Sequence, residues 1–307
     1  MGNTWSLQHV RTIPCAGGRG MCVSLKHRLI IVSELLTNRL SMYSLDDGSM
    51  VRSIGSKGSG RGQFHLSRGG MCTSPDGDSV LVAENFNDRV QQVRIADGSW
   101  MRFIGEGVLS APEYVDANAT VLVTVETCNH HRISVFAWAD GSVLTQFGGW
   151  GSGSGQLMHP NNVRLLADGG GLVVADTDNS RLCVFSVRGE FVKAIGNGTQ
   201  DLLGLVDVME CPDDDGFVVT SHTLHHLVKL SAEGKVLGTF GQRGVHNGAF
   251  VHPSASAALP NGGLVVREHS NYRVQVFRGM QLRGEWIRVC VAFARFGGRI
   301  IQYPGTT

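Results

Sequence analysis

The segment that decides the fold is residues 148–196, GGWGSGSGQLMHPNNVRLLADGGGLVVADTDNSRLCVFSVRGEFVKAIG. A glycine-rich loop is followed by four short runs of β-branched and apolar residues, and Gly, Asp and Asn separate each run from the next. The runs are Val163–Leu166, Leu172–Ala175, Arg181–Phe185 and Phe191–Ile195. Runs of this length between clusters of turn residues predict four β-strands joined by tight turns.

The same pattern occurs six times in the chain. Residues 55–105 and 241–277 match it nearly element by element, and weaker copies occupy 19–55, 105–148 and 196–241. The residues that open the third strand of each copy are Arg39, Arg89, Arg132, Arg181, His226 and Arg273, at spacings of 50, 43, 49, 45 and 47 residues. Such a period, with four strands per unit, is typical of propeller blades. The sequence therefore predicts an all-β, six-bladed β-propeller.

The predicted propeller covers residues 1–280, and residues 281–307 depart from the repeat as a tail without an assigned place. We expect the blades at about 19–55, 55–105, 105–148, 148–196, 196–241 and 241–280.

The last blade shows only three clear strands, whereas residues 7–13, LQHVRTI, resemble the fourth strands of earlier copies. Pairing this first segment with the last blade closes the ring and covers two exposed sheet edges, so we expect this closure. The alternatives are that Met280–Arg283 or Trp286–Phe293 supplies the fourth strand.

The composition restricts the binding partners and the cellular location that we expect for the protein. The formal net charge of +1 gives no general attraction to nucleic acids or membrane surfaces, and no apolar run is long enough to be a transmembrane segment. The seven cysteines form no CxxC pair, which favours buried thiols in a reducing compartment and hence a cytoplasmic location. Met1-Gly2 with Ser6 fits the N-myristoylation pattern, so lipid attachment at Gly2 is an alternative.

Propeller geometry divides the loops between two faces. Because the strands of a blade alternate in direction, the connections between blades and the turns between second and third strands emerge together, on what we call the loop face. It contains the loops 55–64, 148–160 and 241–253 and the turns 34–38, 84–88, 126–131, 176–180, 221–225 and 268–272. The histidines that map to it are His65, His130, His131, His159, His222, His225, His226, His246, His252 and His269. Only His9 and His27 lie elsewhere, so the loop face is the expected working surface.

Three copies of the repeat resemble the NHL repeat. Its first half is carried by GQFHLSRGG at 62–70, GQLMHPNNV at 155–163 and AFVHPSA at 249–255, and its second half by ENFNDRVQQV at 84–93, DTDNSRLCVF at 176–185 and EHSNYRVQVF at 268–277. The resemblance implies an NHL-type six-bladed propeller. It determines the fold more firmly than the function, because such rings host unrelated activities.

Acid–arginine pairs recur at an offset of five residues. They are Glu34/Arg39, Glu84/Arg89, Asp176/Arg181 and Glu268/Arg273. The offset places the end of the second strand beside the start of the third, where opposite charges pair favourably. We expect these pairs to be structural clasps, which would also neutralise arginines that a phosphate backbone requires.

A metal site is one alternative function. His65, His159 and His252 precede the first strands of alternate blades, where three imidazoles around the axis would resemble an open zinc site. Peptide-amidating lyases, which have a similar ring, place zinc-binding histidines just after the proline of the His-Pro step, where this chain has Asn161 and Ser254. We therefore predict no cofactor, and a zinc- or calcium-dependent lyase or hydrolase at the channel mouth stays an alternative.

RNA binding is the other alternative, because some NHL propellers bind RNA on this face. Lys57, Arg61, Arg68 and Arg243 form a local basic sector, but the sequence shows no aromatic residues interleaved with them for base stacking.

The sequence favours a non-catalytic interaction module, a monomeric ring that presents rigid loops to a protein partner. The resemblance further implies that such a ring can recognise substrates for a ubiquitin ligase, whose zinc-binding RING domain a partner would supply. The residues expected at the partner surface are His65, Arg68, His130, His131, His159, Asn161, His222, His225, Arg243, His252, Tyr272 and Arg273.

Overall fold

Four-stranded antiparallel sheets, six in number, make up the part of the chain that a computed structural model describes, residues 7–66, 69–196, 198–211, 216–260 and 262–279. The helical segments within these ranges are the short 3-10 turns Asn85–Asn87, Thr177–Asn179 and Gln200–Leu202. None of the described segments forms a helix with the length and hydrophobicity needed to cross a membrane. The prediction of an all-β, six-bladed propeller is confirmed.

The first three blades follow one another in the chain, each ordered from the central channel outward. Blade one comprises β2 (Met21–Ser24), β3 (Leu29–Glu34), β4 (Arg39–Ser44) and β5 (Met50–Ile54). Blade two comprises β6 (Met71–Thr73), β7 (Ser79–Glu84), β8 (Arg89–Arg94) and β9 (Trp100–Ile104). Blade three comprises β10 (Pro112–Ala117), β11 (Val121–Glu126), β12 (Arg132–Ala137) and β13 (Val143–Gly148).

Blades four and five keep this order, and blade six combines the two ends of the repeat region. Blade four comprises β14 (Pro160–Leu165), β15 (Gly171–Asp176), β16 (Arg181–Ser186) and β17 (Phe191–Ile195). Blade five comprises β18 (Leu205–Glu210), β19 (Phe217–Ser221), β20 (His226–Leu230) and β21 (Val236–Phe240). Blade six comprises β22 (Pro253–Ala258), β23 (Leu264–Glu268), β24 (Arg273–Gly279) and β1 (Leu7–Pro14).

The N-terminal strand closes the ring, as predicted. β1 pairs antiparallel with β24, in a register that places Leu7 opposite Gly279 and Pro14 opposite Arg273. The edge of β24 is thereby occupied. The two alternative segments, 280–283 and 286–293, and the tail 281–307 lie outside the described residues.

The hydrophobic core is divided into six clusters, and each cluster fills the space between two neighbouring blades. The second strands β3, β7, β11 and β15 are buried along their whole length because a neighbouring blade covers each of their faces. This explains their nearly continuous apolar sequences. The cluster between blades six and one includes Ile13 of β1, so the strand that closes the ring also completes a core.

Arg267 reinforces the junction between the last blade and the first. Its side chain on β23 is fully buried, and its guanidinium donates to the carbonyl oxygens of Ser33 (2.7 Å), Ala16 (3.1 Å) and Gly20. Charge-assisted hydrogen bonds of this kind are roughly twice as strong as neutral ones. The side chain therefore ties blade six to the segment that enters blade one.

Candidate functional site

The connections between blades and the turns between second and third strands meet on the loop face. In blade four, the backbone N–H of His159 donates to Nδ1 of His131 in the neighbouring turn, at 3.0 Å. The same contact recurs between the N–H of His252 and Nδ1 of His225, again at 3.0 Å. These contacts place histidines from both kinds of loop on one face.

A clamp of three side chains holds the long loop that precedes blade four. Asp176 at the end of β15 accepts hydrogen bonds from Asn179 (2.8 Å) and from Nε of Arg181 (2.8 Å). Asn179 also donates to the carbonyl of Gly151 at 2.9 Å, and Arg181 donates to three carbonyls of loop residues 152–156 at 2.9–3.1 Å. The acid therefore orients two donors that fix the loop backbone.

Blade six repeats this clamp on the loop 241–253. Glu268 accepts hydrogen bonds from Asn271 and Arg273. Asn271 donates to the carbonyl of Gly244 at 3.1 Å, and Arg273 donates to three carbonyls of residues 245–249 at 2.6–3.1 Å. Arg273 was predicted both as a clasp and as a partner-binding residue, but its guanidinium is engaged in holding the loop.

Blade two has a variant of the clamp. Asn87 donates to the carbonyl of Gly58 at 3.0 Å, as its counterparts do, and Arg89 pairs with Glu84 at 3.2 Å. The guanidinium of Arg89 then contacts Glu106 at 3.2 Å instead of the loop carbonyls.

The predicted Glu34/Arg39 clasp does not form. Glu34 accepts hydrogen bonds from Thr37 (2.7 Å) and Ser41 (2.6 Å), and the side chain of Arg39 is exposed. Blade one follows a short connection, so its arginine has no long loop to hold. Conversely, Glu126 and Arg132 of blade three form an ion pair at 2.9 Å that the prediction missed, because their offset is six residues.

Large apolar side chains are exposed on the loop face, with at least one contributed by each sector of the ring. They are Leu36, Phe86, Val108, Trp150, Leu203, Val245 and Tyr272. The aromatic members Trp150, Phe86 and Tyr272 are 65%, 57% and 58% exposed. On the turns of the opposite face, the only exposed large apolar side chain among the described residues is Leu25. No aromatic residues were expected among the basic residues Lys57, Arg61, Arg68 and Arg243, but the same face does expose aromatic rings.

The histidines of blades five and six form a cluster at the inner part of the loop face. The ring of His252 stacks on His222 with 4.4 Å between centroids and lies 4.7 Å from His225. Burial, followed by the positive charge of Arg19, lowers the pKa of His222 from 6.5 to about 3. Burial also lowers the pKa values of His225 and His269. These three imidazoles are therefore neutral at pH 7.

The metal candidates His65, His159 and His252 have separate neighbours. His65 lies 4.8 Å from the ring of Phe86, His159 pairs with Asp178, and His252 contacts His222 and His225. No group of three metal-ligating side chains with suitable geometry occurs within the described ranges.

The other predicted partner residues differ in accessibility. His130, His159, Arg243 and Tyr272 are exposed, and His131 is buried. The half-buried ones are His65, Asn161, His222, His225 and His252. Arg68 lies outside the described residues.

A cavity opens at the centre of the loop face. Its walls are Arg19, Gly20, Gly70, Glu113, Tyr114, Asn161, Val206, His222 and Ser254, and with its open mouth it encloses about 350 Å³ of empty space. Four of these residues, Glu113, Asn161, Val206 and Ser254, are the extra residues of β-bulges at the same place in blades three to six. A bulge redirects a side chain, and here it brings one from each of these blades to the channel mouth.

Below the cavity, a buried charge network crosses the channel. Arg164 of blade four lies 3.7 Å from Asp207 of blade five and 4.0 Å from Asp116 of blade three. Burial opposes the charge of Arg164, but the summed attraction of Tyr114, Asp207 and Asp116 raises its pKa. Asp207 also accepts hydrogen bonds from Ser256 of blade six, at 2.6 and 2.9 Å. This network was not predicted, although isolated charged residues in the innermost strands of three blades are a signal for it in the sequence.

Two comparisons with known proteins agree with this architecture. The family model of the NHL repeat matches residues 157–185, which run from the long loop before blade four to the third strand of that blade. The protein brain tumor of Drosophila melanogaster is 30% identical over 115 residues, which is 34% of this chain and 11% of that protein.

The fold defines a class, the closed six-bladed β-propellers. Within that class, residues 157–185 match the NHL repeat, and the six-bladed ring is similar to NHL-type propellers.

The clamp in blade four predicts that Asp176 contributes strongly to the stability of the fold. Replacing Asp176→Asn leaves the buried Arg181 without its counter-charge and presents an amide to the N–H of Met158, so we expect a loss of about 3 kcal/mol of unfolding free energy. Urea denaturation measures it. Asp178→Asn is the control, because Asp178 is 49% exposed and exposed pairs contribute less than about 1 kcal/mol. Equal losses in both variants would contradict the clamp.

The His222 environment predicts a pH dependence of stability. Because its pKa is lowered to about 3 in the folded state, the stabilisation of neutral His222 is complete above pH 6.5 and is lost as the pH falls towards 3. We expect His222→Phe, which keeps a ring beside His252, to reduce the slope of unfolding free energy between pH 6.5 and 4. The reduction is at most about 1 kcal/mol per pH unit after solvent screening. Identical slopes in denaturant titrations of both proteins would contradict the assignment.

Proposed function

We propose that the protein is a non-catalytic interaction module that binds a protein partner on its loop face. The observation that carries this proposal is the distribution of exposed large apolar side chains. Each sector contributes at least one to the loop face, whereas Leu25 alone lies on the described turns of the opposite face. Apolar groups that surround a polar centre are typical of protein-binding surfaces on soluble proteins.

The chemistry of the exposed residues supports a protein partner. Trp150 and Tyr272 are of the residue types that dominate binding energies at protein interfaces, and the exposed Arg243 belongs to the third such type. A nucleic acid would need free arginines on this face, but several of them already bind other groups of the protein. Arg181 and Arg273 bind loop carbonyls and their acids, and Arg89 pairs with Glu84 and Glu106.

The clamps supply the mechanism, which is rigid display. Backbone hydrogen bonds from side chains such as Asn179 and Asn271 fix the long loops before any partner arrives. A surface ordered in advance loses little conformational entropy on binding, so more of the contact energy appears as affinity.

RNA binding on the same face is the second candidate. The exposed aromatic rings of Phe86, Trp150 and Tyr272 offer stacking platforms, and Lys57 and Arg243 are exposed on loops of the same face. RNA binding is the weaker candidate, because a phosphate backbone requires more free cations than this face offers.

The narrower expectations stay part of the proposal. The first is a monomeric ring, which the covered edge of β24 supports. The second is a cytoplasmic location, which the free, buried thiols of Cys15, Cys22, Cys72 and Cys183 support. The third is substrate recognition for a ubiquitin ligase. N-myristoylation would fall on Gly2, outside the described residues. A zinc- or calcium-dependent enzyme is the weakest alternative, because His65, His159 and His252 do not converge.

The apolar residues of the loop face predict the outcome of a partner-capture experiment. The double variant Trp150→Ser, Tyr272→Ser should lose at least tenfold of the partner that the parent protein retains, because hot-spot truncations cost about 2 kcal/mol or more each. Quantitative mass spectrometry after affinity purification measures the retained partner. The salt dependence of binding and a ribonuclease step separate protein from RNA partners.

The matched control is Val51→Ser, Leu144→Ser, which removes equally exposed apolar side chains from the outer strands β5 and β13. It should retain the partner. Loss of partner in the control, or its full retention in the loop-face variant with an unchanged fold, would overturn the proposal.

A further inference from the structure

We propose that the channel mouth binds a carboxylate of the protein partner, an acidic side chain or a chain terminus, between Arg19 and His222. This inference rests on the proposed function and assigns the anchor point at the centre of the same face. The surrounding apolar side chains would provide contact area, and the mouth would provide recognition of one charged group.

The blades that line the cavity contribute chemically different side chains to it. The bulged residues Glu113, Asn161, Val206 and Ser254 occupy equivalent places in their blades, and each has a different side chain. The clamps of blades four and six, by contrast, are nearly identical. A ring of equivalent positions with unlike side chains is a means of recognising one particular group rather than of holding the fold.

Nε2 of His222 in the cavity wall is buried and lacks a hydrogen-bond partner within the described residues. A buried donor without a partner is costly, and a ligand or water in the cavity would satisfy it. In the neutral tautomer with its proton on Nε2, His222 can donate to an oxygen of a carboxylate.

The charges on one side of the mouth favour an anion. The charged or titratable groups that act on His222, His225 and His269 lower the proton affinity of these three imidazoles. They are Arg19, Arg267, Arg243 and the neighbouring histidines. Within the described part of the chain, no carboxylate is among the main electrostatic influences on these three imidazoles. Glu113 belongs to blade three, on the other side of the ring, and restricts the anion to the side of blades five, six and one.

The supply of cations favours a carboxylate over an RNA backbone. A phosphate backbone gains its affinity from several cations in a row. Around this mouth Arg181 and Arg273 are already bound to loop carbonyls.

The test uses the full chain and three small probes, glutarate, its neutral diamide and inorganic phosphate. Histidine Cε1–H resonances report binding, and we expect glutarate to shift the His222 signal with a dissociation constant on the order of 1 mM. The diamide should bind roughly tenfold more weakly or worse, because it lacks the charge. Arg19→Gln should weaken glutarate binding roughly tenfold, and Arg39→Gln, an exposed arginine on the same face, should leave it unchanged.

Should Arg19→Gln not fold, His222→Phe replaces it, because it keeps the ring and removes the donor; binding is then followed at His269. No saturable shift with glutarate, equal binding of the diamide, or unchanged affinity in the mouth variants would overturn the proposal. Tighter binding of phosphate than of glutarate would overturn it in favour of RNA. None of these results bears on the apolar residues tested by partner capture, so the two proposals fail separately.

Discussion

The hydrogen-bonded pairing of β1 with β24 is the constraint on which the rest of the structure depends. Each blade buries its faces only against its neighbours, so an open ring would leave one core cluster incomplete and two sheet edges unpaired. The buried guanidinium of Arg267 adds hydrogen bonds from β23 to three carbonyls around blade one. Once closed, the ring fixes the relative positions of all the connections on the loop face.

Two layers of that face have different tasks. The outer layer is held by repeated clamps, in which Asp176 or Glu268 orients an asparagine and an arginine towards loop carbonyls. The inner layer consists of bulged residues such as Asn161 and Ser254, which differ from blade to blade around the cavity. Repetition stabilises the scaffold, and variation at one position provides chemical selectivity. The buried pairing of Arg164 with Asp116 and Asp207 links the inner strands of neighbouring blades.

Most of the fold was predictable because its period is carried by local signals, the turn residues and the fully apolar second strands. The clasps Glu84/Arg89, Asp176/Arg181 and Glu268/Arg273 were predictable from spacing alone, since a tight turn brings such residues opposite each other. The cavity wall was not predictable. Strand alternation assigns side chains to faces, and a single bulged residue reverses that assignment. The exposure of Trp150 and the unpaired Arg39 likewise depend on loops whose course is set by distant contacts.

Native-state hydrogen exchange of the N-terminal strand tests the central claim most directly. If β1 closes the ring, the backbone amides of residues 7–14 that pair with β24 exchange as slowly as those of outer strands such as β9, and they become exposed together with β24. Exchange of residues 7–14 at the rate of an unstructured peptide, with β24 still protected, would contradict the account, because the ring would then be held closed without its first strand.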